Sequence, residues 1–190
     1  MTLEYTFDID YTVWMPVPLE FPWIGYDTAM SWAADVTEDL LAGRGAPEEV
    51  RRAFAATALE RALMPAPLEE PIERFWRRPD TGAPDRLVHL YALQVQGDPD
   101  PDELTELART GLGGFVQSVT PLDRTPFTTA LRVVLLLELP GGSTATVMRL
   151  IGARDGTVLM LELVDDNVAA VAFLEPEIEA LFRSIRLRSA

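Results

Sequence analysis

The stretch 128–165, TTALRVVLLLELPGGSTATVMRLIGARDGTVLMLELVD, decides the fold. Three runs rich in Val, Leu and Ile, near 128–139, 143–153 and 157–165, are parted by Gly141-Gly142 and Asp155-Gly156. Both dipeptides suit two-residue turns, so the reading is three antiparallel strands in two hairpins. Counting from such turns sets Glu138 opposite Ala145, Val134 opposite Arg149, and Arg149 opposite Glu162. In that register Leu131, Val133, Leu135 and Leu137 share an almost charge-free face with Met148, Leu150, Leu159, Leu161 and Leu163. Arg132, Glu138, Arg149 and Glu162 fall on the other face among Val134, Ile151 and Met160. The first face needs helical cover, and the second is too apolar to be bare.

Working outward, residues 2–14 alternate apolar and polar and read as one strand. Pro16, Pro18 and Pro22 interrupt regular structure up to about Tyr26. Helices are expected over 29–42, capped by Asp27 or Thr28, and from Pro47 to about Leu63. Residues 65–85 hold five prolines and read as a long irregular connection, with one helical turn at 71–76. Leu87–Val95 reads as a strand, and Asp100 caps a helix running from Pro101 to about Thr110. Propensity leaves 115–119 open between strand and helix extension. A last helix is expected with Pro176 in its first turn. The fold class is therefore α+β, a mostly antiparallel sheet with helices on both faces, in one domain over 1–190.

Composition narrows the chemistry. The chain of 190 residues has a net charge of −14, which disfavours nucleic acid and anionic membrane surfaces as partners. No apolar run approaches the roughly 20 residues of a membrane span. The N-terminus lacks the charge and apolar core of a secretory signal, so a cytoplasmic location is expected. Cysteine is absent, and all 16 basic residues are arginine. That excludes thiolate nucleophiles, Schiff-base lysines and the P-loop lysine. The same composition fits a GC-rich bacterial genome.

The last three strands feed a helix closing on Phe182-Arg183-Ser184-Ile185-Arg186. This arrangement resembles the end of the PsbP-like superfamily, which includes photosystem PsbP proteins, a Ran-binding nuclear import factor and bacterial proteins. The resemblance covers residues 86–188, about half the chain. It implies an α/β/α sandwich with a binding or accessory role, and it carries over no catalytic residue.

Few motifs bear chemistry. The single histidine, His89, lies mid-strand with no local acid or nucleophile, and reads as structural. Asp98, Asp100 and Asp102 resemble a calcium loop but lack its glycine and closing glutamate, so helix capping explains them better. Gly111-Leu112-Gly113-Gly114 follows a helix and reads as a helix stop. No metal site and no cofactor are expected.

Two segments suit partner contacts. Trp14, Phe21, Trp23 and Tyr26 sit on a proline-stiffened segment, either a contact surface or a plug for the sheet. Arg74, Trp76, Arg77 and Arg78 form the densest basic stretch, either an acid-binding loop or a solvated one with Trp76 turned inward. Arg132, Arg149 and Glu162 are the candidate ligand-binding set, against a purely structural cross-strand ion pair. The favoured expectation is a binding or accessory module working through a protein partner, with a homodimer as the base-rate assembly. A small-ligand protein or enzyme with a pocket on the charged sheet face is the alternative.

Overall fold

A computed structural model describes residues 4–78, 84–139 and 141–188. Its centre is a seven-stranded sheet in which every pair is antiparallel. The strands, in chain order, are β2 (Trp14–Pro16), β3 (Glu73–Arg77), β4 (Leu87–Gln94), β5 (Phe115–Pro121), β6 (Thr129–Glu138), β7 (Thr144–Arg154) and β8 (Thr157–Asp165). Their spatial order is β2-β3-β4-β8-β7-β6-β5. A separate two-stranded pair joins β1 (Glu4–Phe7) to β9 (Ile185–Arg188). Among the described residues, four helices complete the fold: α1 (Ala29–Leu41), α2 (Glu48–Leu63), α3 (Pro101–Leu107) and α4 (Val168–Arg183). The α+β class and the antiparallel sheet agree with the sequence reading.

Helices lie on both faces. On one, Phe75, Val88, Leu90, Met148, Leu150 and Leu161 pack with Leu174, Ile178 and Phe182 of α4. On the other, Leu104 and Ala108 at α3 meet Leu131, Val133, Val147 and Ile151. Farther along that second face, Trp76 and Leu87 meet Trp32 and Val36 of α1 and Ala58 of α2. Alternation along each strand sends successive side chains to these two layers.

The β6–β7 register corrects the count. Glu138 faces Thr144 and Val133 faces Arg149, one residue away from the two-residue-turn reading. Leu139 N–H donates to Ser143 O at 2.8 Å, so the hairpin closes on the Leu139–Ser143 pair. The cause is chemical. A two-residue turn would ask residue 140 for an N–H donor to close the pair, and proline has none. A one-residue slip exchanges faces, so Leu131, Val133 and Leu135 join the charged face and Arg132 leaves it. The Asp155-Gly156 turn is as expected. Both residues have positive φ (53° and 71°), and Arg149 faces Glu162.

Three further expectations are corrected, and one left open is decided. The strand over 2–14, whose first two residues lie outside the described residues, is split into β1 and β2. Asp10 Oδ1 accepts from Thr12 N–H and its hydroxyl at 2.9 and 2.6 Å, turning the chain between them. The helical turn at 71–76 is instead β3, whose Phe75 and Trp76 alternate into the two cores. Residues 79–83 of that connection lie outside the described residues. The 115–119 segment resolves to strand, as β5. The last helix begins eight residues before Pro176, capped by the Asn167 side chain on Ala169 and Ala170 N–H. Pro176 sits inside it, where exposed Ala172 can turn its freed carbonyl to water.

Candidate functional site

Register across four strands places Arg74, His89, Glu162 and Arg149 in one row on the α1–α2–α3 side of the sheet. All four are buried, and Arg149 and Glu162 have 0% exposure. Arg149 Nε donates to Glu162 Oε2 at 2.7 Å, and Nη2 lies 2.5 Å from the same oxygen as an ion-pair contact without hydrogen-bond geometry. Its Nη1 donates to Ala108 O and Thr110 O at 2.6 and 2.9 Å, the carbonyls at the end of α3. At the other end, Arg74 Nη1 donates to Arg61 O and Ala62 O, in the last turn of α2. Each arginine thus fastens the negative end of a helix to the sheet.

Between them stand an imidazole and a carboxylate, and burial acts on both. Burial pushes the His89 imidazole down to about 3, with Arg74 adding to the effect. Burial raises Glu162, and Arg149 opposes that rise. Tyr91 O–H donates to Glu162 Oε1 at 3.3 Å and accepts from Leu68 N–H, so the row also ties down the proline-rich connection. Burial raises the Tyr91 hydroxyl as well. His89 Nε2 has no hydrogen-bond partner.

The ligand-binding candidates do not form one set. Arg149 and Glu162 are sealed inside the core, whereas Arg132 lies on the α4 face, where it bonds Glu175 and, at 2.8 Å, Glu179. The lost grouping follows from the one-residue slip. The basic stretch is likewise no exposed loop. Arg74, Trp76 and Arg77 are buried in β3, and Arg77 makes a bidentate pair with Glu177 of α4 at 2.8 and 3.0 Å. Arg78 is half-buried and reaches Tyr11 O. Trp14 is buried against the α4 core, while Phe21 and Tyr26 pack half-buried on the α1–α2 cluster.

What stays open is the tip of the aromatic segment. Trp23 and Tyr26 exchange backbone hydrogen bonds at 2.8 and 2.6 Å, and their rings stack 6.2 Å apart at 9°. Between them Gly25 takes a φ of 81°, and Ile24 is 84% exposed. A second opening is a cleft of about 300 Å³ beside the row, lined by Arg61, Met64, Pro67, Arg86, His89 and Asp165 among others. Arg86 and Asp165 form an ion pair in its wall. Among the described residues, no three His, Asp or Glu side chains are placed to hold a metal ion, and no helix is long and apolar enough to cross a membrane.

The sequence reading missed the row as a row. Arg149 and Glu162 were countable across a hairpin, but β4 pairs with β8 across about 70 residues of chain, and no local signal announces that neighbour.

No protein-family model matches the chain, and no curated protein matches it. A crystal structure of a protein from Bacteroides thetaiotaomicron is similar over 64% of this chain, at 11% identity and a TM-score of 0.41. The chain spans 41% of that protein's length. Fold and site together define an α+β sandwich whose helices are docked by a buried row of charge.

Proposed function

We propose that this chain is a binding or accessory module that acts through protein–protein contacts, with the Trp23–Tyr26 tip as its contact point. The observation that supports it is Ile24, held out at 84% exposure by a stacked and doubly hydrogen-bonded Trp23–Tyr26 frame. A rigid aromatic turn loses little conformational entropy on binding, which favours such tips as anchors. Leu19, at 36%, and Met30, at 70%, extend apolar exposure on either side in sequence. A photo-crosslinker at position 24 tests the reading. A discrete adduct that Trp23→Ala abolishes, without lowering the melting temperature, is expected. A tip that crosslinks nothing in the native cell would sink it.

The cleft beside His89 favours a second reading, a small-ligand protein with its pocket on the charged face. At about 300 Å³ it sits at the lower end of ligand-pocket sizes. Because His89 is the only histidine, its ring proton gives a single NMR signal for a small-molecule titration. A library that never moves that signal rules out this reading.

A further inference from the structure

The two edges of the large sheet are built differently. The β2 edge has three residues and ends in Pro16, a short and blunted strand. The β5 edge has seven residues, FVQSVTP, and no charge. It lies within residues 110–122, a run of thirteen without Asp, Glu, Lys or Arg and the longest such run in the chain. Phe115 is 69% exposed, with Val116 at 39% and Val119 at 42%. Among the described residues, no strand pairs with the outer side of β5. Natural edges of this length are usually guarded by charge, proline or cover. Here the guards are one irregularity between Val116 and Ser118 and a proline at the last position.

We propose that β5 is a self-pairing edge, where a second copy of this chain adds its own β5 antiparallel across a two-fold axis. Charge selects that occupant. Each copy carries −14, so two copies repel over most of their surface. They can meet with little penalty along the stretch that carries no charge. A two-fold axis between the two strands makes the segment its own complement, so uncharged residues face uncharged residues and outward backbone groups find partners. The Trp23 tip follows β2, at the opposite edge, and stays free in such a dimer. The inference therefore stands or falls separately from the contact role proposed for that tip.

Sedimentation velocity on the full chain, from micromolar to about 100 µM, reads the result. A species of twice 21.1 kDa is expected at the upper concentrations. Raising salt from 0.1 to 0.5 M screens the mutual repulsion and should tighten the dimer, whereas an interface of ion pairs would loosen. Val119→Lys with Phe115→Lys should give a monomer at every concentration, with circular dichroism unchanged. Hydrogen exchange supplies a measurement that needs no variant. Amides in 115–120 should slow as concentration rises. A wild-type chain that stays monomeric overturns the inference, as does a dimer that the paired lysines leave intact or exchange at β5 that ignores concentration.

Discussion

Lowering the pH from 7 to 5 should cost this protein about 2 kcal/mol of stability through His89 alone. The folded value, near 3, lies below the free value of 6.5. As pH falls through 6.5, the unfolded chain takes up the proton and the folded chain does not. The stability present above pH 6.5 is therefore lost progressively until the folded value is reached. Each pH unit inside that window is worth about 1.36 kcal/mol, so 1.5 units give about 2 kcal/mol at pH 5. The figure is insensitive to the folded value, since anything below about 4 leaves the native imidazole neutral at pH 5.

Urea unfolding followed by circular dichroism, at both pH values, checks this in wild type and His89→Gln. With a slope of about 2 kcal/mol/M, the wild-type midpoint should fall about 1 M further than the variant's. Carboxylates titrate in both proteins and cancel in the comparison to first order, including Glu73 and Glu162, which burial raises. No second histidine can share the effect. Equal losses in the two proteins would mean that His89 protonates inside the fold, and the buried row would need a different charge.

Two further substitutions probe the same layers. Arg149→Met strands Glu162 in the core and should cost about 3–5 kcal/mol, while Arg149→Met with Glu162→Leu should recover most of it in the same unfolding assay. Gly152→Ala would set a Cβ 2.5 Å from the Phe127 ring, which stacks on Phe182, so thermal melting should show a loss of about 1–3 kcal/mol.

The sequence exposed local structure and hid non-local pairing. Helices α1 and α2 were readable from their start signals, Thr28 and Pro47, and the β7–β8 hairpin from Asp155-Gly156. The β6–β7 slip was also readable, because Pro140 cannot supply the N–H that a two-residue turn requires. Residues 71–78 were misjudged because prolines on both sides suggested loop, while the burial that makes β3 a strand comes from β4 and α4. Their charges suggested surface for the same reason. Arg74 and Arg77 are buried because α2 and α4 bring carbonyls and Glu177 to them.

The charge of the buried row explains why His89 must stay neutral. Arg74 and Arg149 contribute +2 and Glu162 −1, leaving +1 on the sheet. Two helix ends point at that row, α2 through Arg61 O and Ala62 O and α3 through Ala108 O. A helix C-terminus behaves as about half a negative charge, so the two together offset about +1. The row and its helices are then close to neutral as a unit, which a low-dielectric layer requires. A proton on His89 would add a charge that no neighbour offsets, beside Arg74 and with Nε2 unpartnered. Desolvation and this local imbalance act in the same direction. The predicted acid sensitivity is therefore a property of how the helices are docked. If His89→Gln abolishes it while the Arg149 pair variants leave it in place, Arg74 and the α2 end are the local source. If both abolish it, the Arg149–Glu162 pair also helps to keep His89 neutral.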